Sequence, residues 1–245
     1  MSGSRDTMFL YGRNSVYERL KANPKSIRTV FLQDNVELGH IEKLIRKNHI
    51  SMVRVSPRQL SKMKHAKDLQ GVVAKVDSFS YAEFNDLLDL PKGKQPTLIF
   101  LDRLNDPQNL GVILRTAACF GGFVIVIPKF NACEVTEAVL HVASGGENFM
   151  PVSMVSNISS AILKAKEKGY WIMGGVIGDD AQDINSISIP FPLGLILGSE
   201  GGGIRYGIDK QLDIKARIPM EGANLSFNVA ISCAIFCHEI AKQRK

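Results

Sequence analysis

Long apolar runs are missing from this 245-residue chain: none reaches the roughly 18 residues needed to span a bilayer. The opening Met-Ser-Gly-Ser-Arg-Asp-Thr lacks the apolar core of a secretory leader, so a cytoplasmic location is expected. Cysteine is sparse. Cys119, Cys133, Cys233 and Cys237 have neither zinc nor redox spacing and read as buried, reduced thiols. No His/Cys/Asp cluster suggests a metal. No Gly-x-Gly-x-x-Gly turn with an acid about 20 residues on follows an early strand, which excludes the usual dinucleotide-dependent dehydrogenase.

Positive charge is present and unevenly placed. Residues 1–95 hold 17 Lys and Arg against 10 acids, whereas 96–245 hold 13 against 14. A basic excess confined to one part points to a polyanionic partner bound mainly there. That part reads as a compact α/β module of strands near 8–11, 29–32, 51–55 and 71–76 and helices near 14–22, 38–48 and 57–63. It shows no catalytic constellation. Arg13 lies in a strand-to-helix loop, and Arg58, Lys62, Lys64 and Lys67 form a basic run, a profile that fits a binding module. Phe79–Leu90 has helical character, and Pro91-Lys-Gly-Lys-Gln-Pro96 breaks regular structure. The expected division is a binding domain over 1–78, a linker over 79–96 and a second domain over 97–245.

From residue 97 onward, strands and helices alternate, which predicts a parallel sheet with helices on both faces. Ligands of such sheets sit outside the carboxyl ends of the strands. Three stretches qualify: Asn105–Arg115, Gly198–Gly203 and Ile218–Asn228. The second follows the apolar strand Leu193–Leu197 and sets four glycines around Ser199 and Glu200. With a carboxylate and no Lys after it, this loop is no phosphate cradle. It suits a ligand with hydroxyls, an amine or a positive charge. The first is expected to be a polar loop leading into a helix over Val112–Phe120. That helix is apolar nearly all round and is expected to be covered on more than one side. Its single charge, Arg115, must be paired or used in such surroundings. A short strand over Arg217–Met220 and a last helix beginning at Ser226–Asn228 complete the pattern.

Together these stretches resemble the SpoU/TrmH family of RNA ribose 2′-O-methyltransferases, within the SPOUT class. The matching residues are Asn109-Leu-Gly111-Val-Ile-Leu-Arg115-Thr-Ala117, then Leu197-Gly198-Ser199-Glu200-Gly201-Gly202-Gly203, then Ile218-Pro219-Met220 with Leu225-Ser226-Phe227-Asn228-Val229-Ala230. Ser144–Glu147 with Pro151 is similar to a further family stretch. The N-terminal module, with Tyr11-Gly12-Arg13 and Gln70-Gly71, resembles the substrate-binding domain of the subgroup acting on guanosine of 23S rRNA. Leu69 and Phe227 stand where that pattern usually has His and Leu.

The resemblance implies a small N-terminal α/β RNA-binding domain and a C-terminal parallel-sheet domain with a deep trefoil knot, which base rates alone would argue against. It also implies a homodimer, S-adenosylmethionine as methyl donor and no metal. By the same resemblance, Gly174, Gly175, Leu197, Gly198, Glu200, Gly203, Ile218, Met220 and Phe227 hold the donor. Asn109, Arg115, Glu200, Ser226 and Asn228 form the catalytic set, with Glu200 the carboxylate to pair with Arg115. An arginine is a poor general base, since its pKa is roughly 12.5 or above. Its expected part is to orient the ribose hydroxyl and stabilise the developing alkoxide, or to bind the adjacent phosphate. Arg13, Arg58, Lys62, Lys64 and Lys67 are the candidates for holding RNA. A tRNA ribose methyltransferase, a resistance-type rRNA methyltransferase and a non-catalytic RNA binder of the same fold stay open as alternatives.

Overall fold

A computed structural model describes residues 7–66, 68–91, 93–178, 180–199, 201–223 and 225–244. In chain order the elements begin with β1 (Thr7–Tyr11), α1 (Arg13–Ala22), β2 (Ile27–Gln33), α2 (Gly39–Lys47), β3 (Ser51–Val55), α3 (Pro57–Met63) and β4 (Val72–Asp77). There follow α4 (Phe84–Leu88), β5 (Thr97–Leu101), α5 (Pro107–Phe120), β6 (Phe123–Pro128), α6 (Glu137–Ala143), β7 (Val152–Val155) and α7 (Ile158–Glu167). The chain ends with β8 (Trp171–Gly175), β9 (Gln182–Asp183), β10 (Leu193–Leu197), α8 (Tyr206–Asp209), β11 (Ile214–Arg217) and α9 (Val229–Gln243). The described residues form two compact units. One holds the chain up to Ser80 together with Val135–Phe149; the other holds Tyr81–Glu134 and the chain from Met150 onward.

The first unit is a four-stranded sheet in the order β1-β4-β2-β3, antiparallel except for the β2–β3 pair. Helix α3 starts on a capping box, Ser56 with Gln59, and Pro57 fills the first helical position. Helix α6 belongs to this unit although it lies far along the chain. His141 stacks on Tyr11 with ring centroids 4.2 Å apart. Arg19 and Glu147 form a buried ion pair at 3.0 Å. Gly145 adopts φ 98, and a Cβ there would stand 2.4 Å from the Glu18 Cβ, so only glycine passes α1 at this point.

The second unit is a seven-stranded sheet in the order β7-β6-β5-β10-β8-β11-β9, parallel at every pairing. Strands β5, β6 and β10 are buried at every residue, which is why they read as unbroken apolar runs. Leu98, Phe100, Val124, Val126, Ile172 and Ile196 point to one face, where they meet Phe84 and Leu88 of α4 and Ile158, Ala161, Ile162 and Ala165 of α7. Helix α4, inside the stretch 79–96, is thus packed into this core. The pleat sends Leu197 the other way, toward Gly175 and Phe236 of α9.

Three boundaries depart from the sequence reading. Helix α5 begins at Pro107 rather than Val112: Asp106 caps it, accepting from the Gln108 N–H at 2.9 Å, and proline occupies its first position. The final strand ends at Arg217, before Pro219, which has no N–H to donate to a ladder. Helix α9 begins at Val229, because Asn228 is its cap and accepts from the Ala230 N–H at 2.8 Å. Cysteine exposure also departs from expectation. Cys233 and Cys237 are buried thiols with Sγ atoms 3.8 Å apart, but Cys119 is exposed and Cys133 partly so.

Candidate active site

The strand register builds the site. Leu197 of β10 pairs with both Leu101 of β5 and Gly175 of β8, and Gly175 pairs with Ala216 of β11. The carboxyl ends of four adjacent strands are therefore level, and the three stretches singled out in the sequence emerge side by side. Between β5 and β10 the chain order reverses, the position where open parallel sheets bind ligands.

The loop after β10 is a tight reversal. Ser199 N–H donates to the Gly203 carbonyl at 3.2 Å, and Gly203 N–H returns to the Ser199 carbonyl at 3.0 Å. A Cβ on Gly198 would stand 2.1 Å from the Gly203 carbonyl carbon and 2.4 Å from the Ile204 nitrogen. Those atoms are backbone and cannot step aside, so this glycine is required by its own loop. Gly201 and Gly203 adopt φ 78 and 57 with open space where a side chain would be. Gly174 and Gly175 have packing reasons of their own. Cβ atoms there would come within 2.4 Å of Leu212 and 2.9 Å of Leu197 and Phe236.

Asn109 and Asn228 are brought together. Asn109 sits on the first turn of α5 and is buried; its Oδ1 accepts from the Asn228 Nδ2 at 3.0 Å. One asparagine side chain thus caps α9 and also links it to α5. Arg115 is not part of this contact. Six residues further along α5, it is displaced about 9 Å along the axis and about 120° around it from Asn109. It is exposed in the single chain, on a stripe with Val112 and Cys119. Among the described residues it has no ion-pair partner. Glu200, expected to pair with it, lies outside the described residues, as does Lys67. Ser226 is exposed in the loop before α9.

The remaining residues expected to hold the donor follow β11. Ile218 is half-buried after β11, while Met220 is 41% exposed and Phe227 44% exposed. Exposed apolar side chains on the segments that follow β11 suit a ligand with a flat ring and several hydrogen-bonding edges. Four strands end here with no phosphate-binding lysine. The set fits S-adenosylmethionine, whose adenine wants an apolar slot with backbone partners.

The sequence reading missed a charged cluster on this edge. Asp102, directly after β5, is fully buried. Arg205 meets it with Nε at 3.0 and 2.9 Å and Nη2 at 2.6 Å. That hydrogen bonding holds the Arg205 guanidinium above its ordinary pKa. The pair ties the end of β5 to the exit of the glycine loop. An acid closing an otherwise all-apolar strand was the available signal.

In the first unit, Arg13 is exposed and anchored to Gln70: its N–H donates to Oε1 at 2.8 Å and its Nε to the carbonyl at 3.1 Å. Arg58 and Lys62 are exposed one turn apart on α3. Lys64 differs from its neighbours. It pairs with Glu137 and lies 5.3 Å from the Tyr11 ring centroid, so its charge is spent inside the unit.

A parallel sheet with an open glycine loop at the reversal of strand order defines a small-molecule site of the doubly wound α/β class. The chain belongs to the SpoU rRNA Methylase family, whose model matches residues 96–238. Residues 9–82 match the family described as RNA 2′-O ribose methyltransferase substrate binding. It is accordingly an RNA 2′-O-ribose methyltransferase. It is 33% identical over 244 residues, 96% of each chain, to a putative TrmH family tRNA/rRNA methyltransferase of Bacillus subtilis, YacO. It is 31% identical over 241 residues, again 96% of each, to the 23S rRNA (guanosine-2′-O-)-methyltransferase RlmB of Coxiella burnetii. The solved structure of AviRb, a SpoU methyltransferase from Streptomyces viridochromogenes in complex with AdoMet, shares the fold. It has a TM-score of 0.81 at 19% identity over 99% of this chain and 94% of its own.

Proposed function

We propose that the protein transfers a methyl group from S-adenosylmethionine to the ribose 2′-hydroxyl of a guanosine in 23S rRNA. The observation that carries this is the level carboxyl edge of β5, β10, β8 and β11, from which the glycine loop and the segments holding the Asn109–Asn228 pair and the exposed Met220 and Phe227 emerge. Relatives such as RlmB, matched from end to end, support the choice of RNA. When bound, the donor supplies an electrophilic methyl group on a sulfonium. Leu197, Gly198, Gly203, Ile218, Met220 and Phe227 hold it, with Gly174 and Gly175 keeping the adjacent strand close-packed; Glu200 lies beside them in sequence.

The chain's own part in the chemistry is to handle the hydroxyl. Its proton must leave, and the oxygen's growing charge needs a fixed cation. Arg115 takes the second task and orients the ribose. Asn109, Ser226 and Asn228 fix the surrounding geometry, with Glu200 as the companion carboxylate. The first unit holds RNA through Arg13, Arg58 and Lys62, since RNA is recognised through shape and unpaired bases while phosphate contacts set affinity. Exposed apolar side chains on the packed helices α5 and α9 (Val112, Phe120 and Ile231) favour a second copy as their cover. The reading therefore includes a homodimer with Arg115 near the interface, the family's knot in the second unit and action in the cytoplasm.

The test is transfer of labelled methyl from S-adenosylmethionine to total rRNA and to tRNA by wild type and Arg115→Ala. The expected result is label in 23S rRNA, a new alkali-resistant position at a guanosine, and a loss of at least about 100-fold in kcat for the variant. Label in tRNA alone would overturn the substrate. An unimpaired variant would overturn the role of Arg115.

A further inference from the structure

Arg103 immediately follows the buried strand β5 at the reversal of strand order. It adopts φ 61, a left-handed conformation that a long side chain enters only when its surroundings impose it. Its neighbour Asp102 is only a distant partner. Arg205 saturates that carboxylate at 2.6–3.0 Å, whereas the Arg103 Nε stays 3.9 Å away. That Nε is shielded from solvent and finds no hydrogen-bond acceptor among the described residues. The rest of the guanidinium reaches out, leaving the side chain 38% exposed. Its Nη2 lies 3.4 Å from where a Cβ on Gly202 would stand, so the glycine loop packs against it and leaves it room.

A left-handed backbone thus holds a cation, compensated only by a 3.9 Å ion pair, against the donor-binding loop. A cation there opposes a sulfonium unless an anion comes with the second substrate. RNA brings one on either side of every ribose, and a guanidinium matches phosphate oxygens two at a time. We propose that Arg103 binds the RNA phosphate next to the target ribose. The inference rests on the RNA-methylating reading above.

Methyl transfer to total rRNA by full-length wild type, Arg103→Asn and Arg103→Lys over a range of salt concentrations tests it. Asparagine tolerates the left-handed region, so the backbone is kept while the charge is lost. Arg103→Asn is expected to raise KM for RNA about tenfold, the scale of one charge-assisted contact. The dependence of log affinity on log salt should become shallower by about 0.7–0.9. KM for S-adenosylmethionine should stay within about twofold, and Arg103→Lys should recover the salt slope. Unchanged RNA KM and slope would overturn the proposal. So would a loss confined to the donor's KM, which would assign the charge to its carboxylate. A lower Tm for Arg103→Asn with an unchanged salt slope would also overturn it and make Arg103 a structural prop. If wild type itself transfers no methyl to RNA, the functional reading fails first and this inference with it.

Discussion

The two ends of the seven-stranded sheet are built from the same strands and solve opposite problems. At the amino end, backbone closes on backbone with ordinary spacing. Thr97 N–H donates to the Gly122 carbonyl at 3.0 Å, and Trp171 N–H to the Pro192 carbonyl at 2.9 Å. That end even leaves the buried Tyr170 hydroxyl without a hydrogen-bond partner among the described residues. At the carboxyl end, the backbone of residues 203–204 crowds Gly198, Arg103 is in a left-handed conformation, and Asp102 is buried against Arg205. Of the two ends of this sheet, the carboxyl end thus holds the fully buried carboxylate and the left-handed arginine, as expected where a site is held rigid at the expense of local stability.

Adding one methyl group at each place breaks this contrast most sharply. Gly198→Ala puts a Cβ into backbone atoms at 2.1–2.4 Å, which no rotamer change relieves. The expected cost is about 4 kcal/mol or more, with loss of donor binding, read by urea denaturation and by calorimetry with S-adenosylmethionine. Gly194→Ala, four residues earlier in the same sheet region, meets only the side-chain ends of Ile172 and Phe100 at 3.0 Å. A cost of about 1–2 kcal/mol with donor binding retained is expected there. Equal effects at the two glycines would remove the distinction between the site loop and the strand that feeds it.

Next in size is Arg205→Ala. It strands a fully buried carboxylate whose only remaining ion-pair partner among the described residues is Arg103 at 3.9 Å. The Arg205 side chain is 44% exposed, so breaking this pair is expected to cost about 2 kcal/mol, less than for a fully buried pair. The replacement of both partners, Asp102→Asn with Arg205→Ala, is expected to cost less than the single change, because no charge is left behind. A double variant as unstable as Arg205→Ala would mean that the pair does not act as a unit.

How much of this was legible before the structure follows from what each signal reports. Strands β5, β6 and β10 announce themselves because burial on both faces demands continuous apolar residues. The glycine loop and the two asparagines were legible as strand-end features. The start of α5 was misplaced although Asp106-Pro107 is a cap followed by a first-position proline; the polar residues of its first turn masked the helical period. Which side of α5 carries Arg115 into the open was not legible, because composition around a helix does not say which face the chain's own core leaves uncovered. The Asp102–Arg205 pair joins residues 103 positions apart, and pairing at that distance has no local signature. The stretch Val135–Phe149 joining the first unit through Arg19–Glu147 and Lys64–Glu137 was hidden for the same reason.

The smallest expected effect sharpens the comparison from the quiet end. Tyr170 is 3% exposed, its hydroxyl has no partner among the described residues, and burial pushes its pKa up to about 12. The fold therefore favours the neutral phenol. Since the folded pKa exceeds the unfolded value near 10, this contribution is fully present below about pH 10 and is lost as pH rises through about 12. Tyr170→Phe removes the unpaired hydroxyl and the titration together. It is expected to stabilise the protein by about 1 kcal/mol at pH 7. Between about pH 10 and 12 that advantage should widen by about 2 kcal/mol, measured as the difference in urea midpoints of the two proteins at each pH. Methyl transfer at pH 7 should be unaltered, because Tyr170 precedes β8 at the end of the sheet opposite the site. An advantage that stays constant with pH would show that the phenol ionises in contact with water. A loss of activity would show that the two ends of the sheet are coupled, and the division of labour between them would have to be abandoned.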